Sequence, residues 1–252
     1  MAERPVVDIS YHNGTIDFKK LAKVIDSVII RCGYGDNYSK QDDTKFNEHM
    51  QLAIANGMNI GVYIYSYAKD TRQAASEANH IIRLIEPFKD YTRLSKVLWY
   101  DVEEPYQIPY VYKLFDTFKN NVSDYGYTAG LYMSESFYNE AFKIGAGDVP
   151  LWIAKYGTNN GKSQIKPVVK GAISLWQYTS KGKIHGIDGN VDVSICYDDT
   201  IFSNKGRITD FESAMNLLVE KGAIATPEYW YNAAKVVKYL PDLIINMANT
   251  IE

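Results

Sequence analysis

The sequence predicts an α/β fold: a TIM-like barrel of eight strands with a small helical module behind it. Three observations carry this. Between residues 5 and 142, short apolar runs alternate five times with segments whose apolar residues recur at helical spacing. Three more strand-like runs follow at 151–154, 174–178 and 190–194, with no regular helical pattern between them. The composition then changes after Ile201. Alternating βα units imply a parallel sheet, and eight strands imply closure. An open doubly wound sheet is the alternative, but no GxGxxG or Walker motif follows any strand. The domain reading is a barrel at 1–202, a polar linker at 203–209 and a helical module at 210–252.

The elements follow in order. Residues 5–10 form a short strand carrying Asp8, and 11–14 form a turn by composition. Asp17 caps a helix on which Phe18, Leu21, Val24 and Ile25 fall at helical spacing. A strand at 27–31 and a polar loop at 34–38 lead to a helix at 43–56, which Gly57 stops. The strand at 60–67 alternates, with Tyr63, Tyr65 and Tyr67 on one side and Val62 and Ile64 on the other. A helix at 71–85 ends before Pro87. A strand from Val97 leads into acids, and a helix at 109–122, a strand at 128–133 and a shorter helix at 136–142 complete the alternation. In the tail, Phe211, Met215, Leu218 and Val219 share one helix face. Thr226 and Pro227 open a second helix expected to run to Leu240, and 242–248 is a last short apolar segment.

The most informative stretch is 97–105. Val97, Leu98, Trp99 and Tyr100 run straight into Asp101, Glu103 and Glu104 before Pro105. On a strand, Asp101 and Glu103 share a face, with Cα atoms roughly 6.5–7 Å apart at a rise of about 3.3 Å per residue. Two acids there read either as a pair for acid/base chemistry or as capping and loop acids beyond the strand. Asp8 and Asp192 lie at or near other strand ends, where barrels of this class carry their chemistry.

Composition narrows the function. The net charge is −3, and no Lys/Arg cluster is dense enough for a nucleic-acid surface. Two cysteines give neither a disulfide framework nor a CxxC site, and the four histidines form no HExxH or other metal spacing. No apolar run approaches the roughly 18 residues of a membrane span. The first residues lack the apolar region of a signal peptide. The 21 tyrosines and 4 tryptophans are the unusual feature. Their flat faces with polar handles suit pyranose rings, although most serve packing. No GxSxG and no patterned Cys/His pair is present. A mouth with several carboxyls and many aromatics therefore points first to glycoside hydrolysis. A metal site built from the same acids is the competitor, without a patterned His or Asn ligand set.

An ordered series of segments then carries a family resemblance. It comprises Asp8, Ser10, Asn13, Gly14 and Asp17; Gln41 to Asp43 with Phe46; Gly61 to Tyr63 and Tyr65 to Ala68; Tyr100 to Glu103; Leu151 to Gly157; Leu175 to Thr179; and Gly186 to Asp192. From about Val6 to Asp198 the chain resembles glycoside hydrolase family 25 lysozymes, the muramidases of phage endolysins and bacterial autolysins. The resemblance implies cleavage of the β-1,4 bond between N-acetylmuramic acid and N-acetylglucosamine in bacterial peptidoglycan, without metal or cofactor. It implies Glu103 as general acid and Asp101 as its ionised partner, orienting the acetamido group or stabilising the developing cation. Asp8 and Asp192 complete the acidic floor. Tyr34, Tyr65, Tyr132, Trp152 and Trp176 are sugar-facing candidates, and Gln177 is a polar contact. Asp188 rivals Asp192, but Asp188 and Gly189 read as a turn. Two segments depart from the family pattern, Tyr11 to Asn13 and Arg31 to Gly35, which bear on sugar contacts and not on the acids.

Two other classes stay open on sequence: a sugar-binding barrel without activity, and a deacetylase or other metal hydrolase. The tail reads as a wall-binding, self-associating or shielding module. The missing signal peptide favours an endolysin held in the host cytoplasm and released through a separate pore. The spacing of Asp101 and Glu103 leaves retaining, inverting and substrate-assisted routes open.

Overall fold

Eight strands pair in sequence order into a closed barrel: β1 (Arg4–Ile9), β2 (Ser27–Tyr34), β3 (Asn59–Tyr65), β4 (Leu94–Asp101), β5 (Thr128–Ser134), β6 (Leu151–Ala154), β7 (Ile173–Gly182) and β8 (Val191–Cys196). This is a computed structural model, and it describes residues 4–202 and 211–248. The linker expected at 203–209 lies outside the described residues. The chain divides into two compact units, Met1–Ser203 and Asn204–Glu252.

Strands β1 to β7 run parallel to one another, as alternating βα units require. The last strand corrects the expectation of a parallel sheet throughout: β8 runs antiparallel to both β7 and β1. A parallel return needs a crossover of a dozen or more residues, usually a helix. Residues 183–190 are too few for one. The reversal brings the amino end of β8 to the mouth, where the other strands end. Asp192 is therefore near the mouth as the second residue of its strand, directly opposite Asp8 in the register.

Alternation sorts side chains into two layers. Val6, Ile29, Trp99, Trp152 and Leu175 point into the barrel. Val7, Ile9, Val28 and Ile30 point outward against the helices. The interior is filled by large rings: Trp99 packs edge-on against Trp152 at 5.6 Å, and Tyr132 against Trp152 at 4.4 Å. Gly130 makes room for this, since a Cβ there would lie 2.4 Å from Trp99 Cε3. Truncating a fully buried tryptophan such as Trp99 costs about 3–5 kcal/mol. Ile201 and Phe202 belong to the same interior cluster, and the Ser95 hydroxyl bonds the Ile201 carbonyl.

The helices obey local signals with some shortening. α1 is a single turn (Phe18–Leu21) capped by Asp17, and Val24 is exposed rather than on its buried face. α2 (Phe46–Ala55) ends at Gly57, whose φ of +67° and the bond from Met58 N to Ala53 O terminate it. α3 (Thr71–Ile85) is capped by the Asp70 carboxylate, which accepts from Gln73 N at 2.8 Å. α4 (Val111–Ser123) starts two residues later than expected, after a 3-10 stretch, Pro105–Tyr110. α5 (Glu135–Ala141) follows β5.

The second unit contains α6 (Phe211–Glu220), α7 (Pro227–Ala234) and α8 (Leu240–Ala248). Its core gathers Met215, Leu218, Ile224, Leu240 and Ile244, with Trp230 partly buried against it. The helix expected to run from Pro227 to Leu240 stops at Ala234, and none of its residues is buried. No helix among the described residues is long and apolar enough to cross a membrane.

Candidate active site

The barrel mouth holds a cavity of about 400 Å³ into which Asp8, Asp101, Glu103 and Asp192 all face. Each arrives differently. Asp8 follows Val6 on the inner face of β1. Asp101 is the last residue of β4. Glu103 lies two residues on, past the end of that strand rather than within it, and faces the same cavity. Backbone bonds fix this tip: Ser66 N donates to Asp101 O at 2.8 Å, and Val102 N to Tyr132 O at 3.0 Å. Asp192 comes from β8.

Four acids in one pocket repel one another, and burial adds to the cost of charge. Burial, then Glu103 and Asp8, push the Asp101 carboxyl well above the usual range, against the opposing pull of Arg31. Burial and Asp192 do the same to Asp8, while its bond from Gln177 acts the other way. Burial, then Asp192 and Glu104, raise Glu103. Burial pushes Asp192 to about 6. Glu103 is thus raised, as expected for a general acid. The expectation that Asp101 stays ionised beside it needs correction, because Asp101 sits inside the barrel and is 4% exposed. Its Oδ1 is buried without a hydrogen-bond partner. Such an orphaned acceptor costs about 1–3 kcal/mol, so it is poised for a donor from outside the protein.

A hydrogen-bond chain holds the opposite wall. The hydroxyls of Tyr132 and Tyr156 donate to Gln177 Oε1 at 2.7 and 2.6 Å. Gln177 Nε2 then donates to Asp8 Oδ2 at 2.9 Å. Two hydroxyls on the oxygen fix which way the amide faces. Trp152 lines the cavity and donates through Nε1 to Ser194 Oγ at 3.0 Å. Tyr65 lines it too and donates to Glu104 Oε1 at 3.0 Å.

Two sugar-facing candidates lie elsewhere. Leu175 faces the barrel interior and Gln177 the cavity, so Trp176 between them must face outward. It is buried there, donating to the Lys155 carbonyl at 2.9 Å. Tyr34 lines a neighbouring cleft of about 550 Å³, with Tyr67, Glu104 and Tyr106. Tyr34 is the last residue of β2, three positions on from the inward Arg31, which plain alternation places on the other face. Asp188 is exposed and outside the cavity.

Sequence reasoning missed Arg31 and Tyr156 as cavity residues. Arg31 is anchored by Nε and Nη2 on Asp43 Oδ2, both at 2.9 Å, and lies over the Tyr11 ring. Its signal was available: it is two residues from the inward Ile29 on one strand. Tyr156 lies past the end of β6 but continues the alternation of the inward Trp152 and Ala154. Both cysteines are free and buried. Among the described residues, no group of three or more His, Cys, Asp or Glu is arranged to hold a metal ion. A third cleft, of about 280 Å³, adjoins the first through Glu103 and Tyr156.

A closed α/β barrel that gathers four raised carboxyls among aromatic rings at its mouth has the layout of a glycosidase. More particularly, the chain belongs to glycosyl hydrolases family 25, whose profile matches residues 7–187. An autolytic lysozyme of Clostridium acetobutylicum is 26% identical over 234 residues, covering 86% of this chain and 66% of that protein. The chain thus spans just under two thirds of that relative's length. The catalytic domain of endolysin ply40 from bacteriophage P40 of Listeria monocytogenes superposes with a TM-score of 0.68 at 27% identity, covering 79% of this chain and 95% of that one. The modular autolysin LytC of Streptococcus pneumoniae gives 0.62 at 29% identity, covering 78% of this chain and 47% of that one.

Proposed function

We propose that the protein is a peptidoglycan hydrolase that cleaves the β-1,4 bond between N-acetylmuramic acid and N-acetylglucosamine. The observation that carries the reading is Glu103: a carboxyl raised by burial and by Asp192, on the rim shared by two clefts. Held protonated, it donates to the leaving glycosidic oxygen. The orphaned Asp101 Oδ1 suits the N–H of a substrate acetamido group. That donor, together with Arg31, favours the ionised form of Asp101 once substrate is bound, so the partner role is reached in the complex. Asp8 and Asp192 supply further negative potential beneath the sugar carbon that becomes positive. Tyr65 offers a ring face, Tyr132 and Trp152 form the buried floor of the cavity, and Gln177 holds Asp8 in place. The family membership and the named activities of the relatives point the same way.

Product analysis tests the bond assignment. Purified cell wall digested with the protein and reduced with borohydride should yield fragments ending in reduced N-acetylmuramic acid, read by mass spectrometry. Ends in reduced N-acetylglucosamine, or freed peptides alone, would overturn it.

We read residues 210–252 as an added contact, either to the wall or to a second copy of the chain. Tyr229, Val236 and Tyr239 are 67%, 82% and 69% exposed. Either contact adds a binding site toward a polymeric substrate. Wall pull-down and solution mass of residues 1–205 against the full chain separate the two, and no change in either measurement removes both.

A further inference from the structure

A buried acid outside the mouth has no part in the reaction as assigned. Glu77, on α3 behind the barrel wall, is 1% exposed. Its Oε2 accepts from Ser66 Oγ at 2.8 Å and from the Tyr100 hydroxyl at 2.6 Å, and its Oε1 accepts from Tyr67 N at 2.7 Å. Gln107 extends the cluster: its Nε2 donates to Ser66 Oγ at 2.9 Å and to Ala68 O at 3.1 Å, and its Oε1 accepts from Glu104 N at 3.1 Å. Ser66, Tyr100 and Gln107 are each fully buried.

The geometry has a direction. Tyr100 precedes Asp101, and Glu104 follows Glu103. The segment bearing both acids is therefore gripped on each side, through the Tyr100 ring and through the Glu104 amide. Ser66, which joins the two grips, also bonds the Asp101 carbonyl through its own N–H. A buried carboxyl is a costly way to fill such a position, and an apolar residue of similar size would pack without that cost. Three converging donors account for the acid.

We propose that Glu77 is a positioning residue that fixes the tip of β4 from behind the barrel wall and so sets the pose of Asp101 and Glu103. The inference rests on the roles given to those two acids under Proposed function. Displacements of the order of 1 Å at a reacting group cost up to about a hundredfold in rate.

Protonation gives the proposal its own signature. Burial pushes Glu77 to about 7, against the three hydrogen bonds, and Asp36 adds repulsion. The other groups around it are Tyr34 at the end of β2, Tyr67 and Lys69 beyond β3, and Glu104 and Tyr106 beyond β4. Tyr100 faces it from β4, and His80 lies one turn along α3. The buried residues of α4 are all apolar.

The test is Glu77→Gln, with Glu103→Gln in parallel, on suspended peptidoglycan and on soluble glycan fragments released from it. The amide keeps an acceptor for Tyr67 N and turns its NH2 toward the Tyr100 and Ser66 hydroxyls, so the protein should melt close to wild type. Expected is a fall in kcat of about tenfold with KM changed less than about twofold. The ratio of mutant to wild-type rate should also vary between about pH 6 and 8, because only the wild-type group titrates there. A residue that merely fills space would leave kcat per folded molecule and the pH profile unmoved, and that result overturns the proposal. If the amide variant fails to fold, Tyr100→Phe removes one donor and leaves Glu77 in place. It should lower kcat about threefold, and an unchanged kcat overturns the proposal equally. Wild-type activity in Glu103→Gln would sink the acid assignment. An inactive Glu103→Gln beside a fully active Glu77→Gln would sink this inference alone.

Discussion

Glu103→Gln lowers kcat/KM on peptidoglycan by about 10³-fold, with the fold intact. A general acid contributes about 10²–10⁴-fold, and an amide has no proton to give at these pH values. The loss should fall on kcat, since Gln keeps the shape and polarity that a bound sugar meets. Stability should hold or rise slightly, because the Glu103 carboxyl sits near Asp101, Asp192 and Glu104 and is repelled by them. The wild-type pH profile follows from the same group. Burial and the neighbouring acids raise Glu103, so activity is lost on the alkaline side above the ordinary glutamate range, as the proton leaves. The variant's residual rate should lack that limb. Clearing of a wall suspension, followed from pH 4 to 9 for both proteins, reads magnitude and profile together. Equal clearing by the two would remove Glu103 from the mechanism.

Asp101→Asn moves activity and stability in opposite directions. The rate should fall about a hundredfold, because the acetamido group loses a charged acceptor and the developing cation loses a neighbouring charge. Stability at pH 7 should rise by roughly 0.5–2 kcal/mol, the range seen when a strained functional group is removed. The sign follows from linkage. The folded state holds the Asp101 proton to higher pH than the unfolded chain, where the group titrates near 3.8. Folding therefore favours the protonated form, and wild-type stability declines as pH rises above about 4. Asn carries no such dependence. Its gain in melting temperature should be clear at pH 7 and close to nothing at pH 3.5. A variant less stable than wild type at pH 7 would show that Asp101 is well accommodated as a charge in the free protein, contrary to the account.

Much of this was legible in the chain, and the exceptions have identifiable causes. The period-two pattern of Tyr63 and Tyr65 on β3, and the run from Val97 into Asp101, located the strands and two walls of the cavity. Asp192 was found on the correct strand, but its route to the mouth depends on the reversal of β8. Only the shortness of residues 183–190 signals that reversal. Trp176 and Gln177 were both assigned to the site, although neighbours on one strand cannot share a face. Tyr34 lies three residues from the inward Arg31, so period two on β2 already argued against a place in the same cavity. Glu77 was not singled out, although it shares the apolar stripe of α3 with Ala74, Ala78 and Ile81. What the helix pattern does not show is its partners, Tyr100 and Ser66, which tertiary packing brings to it. The break after Ala234 likewise has no Gly or Pro to mark it.

The proton on Glu103 is what the whole account depends on, and carbon-13 NMR observes it directly. With glutamate side-chain carboxyls labelled, the Glu103 signal is the one missing from the spectrum of Glu103→Gln. Its midpoint in the substrate-free protein should lie above the ordinary glutamate value of 4.5, raised by burial, Asp192 and Glu104. A midpoint at or below 4.5 would mean that the carboxyl is ionised when substrate arrives, and would contradict its assignment as the proton donor.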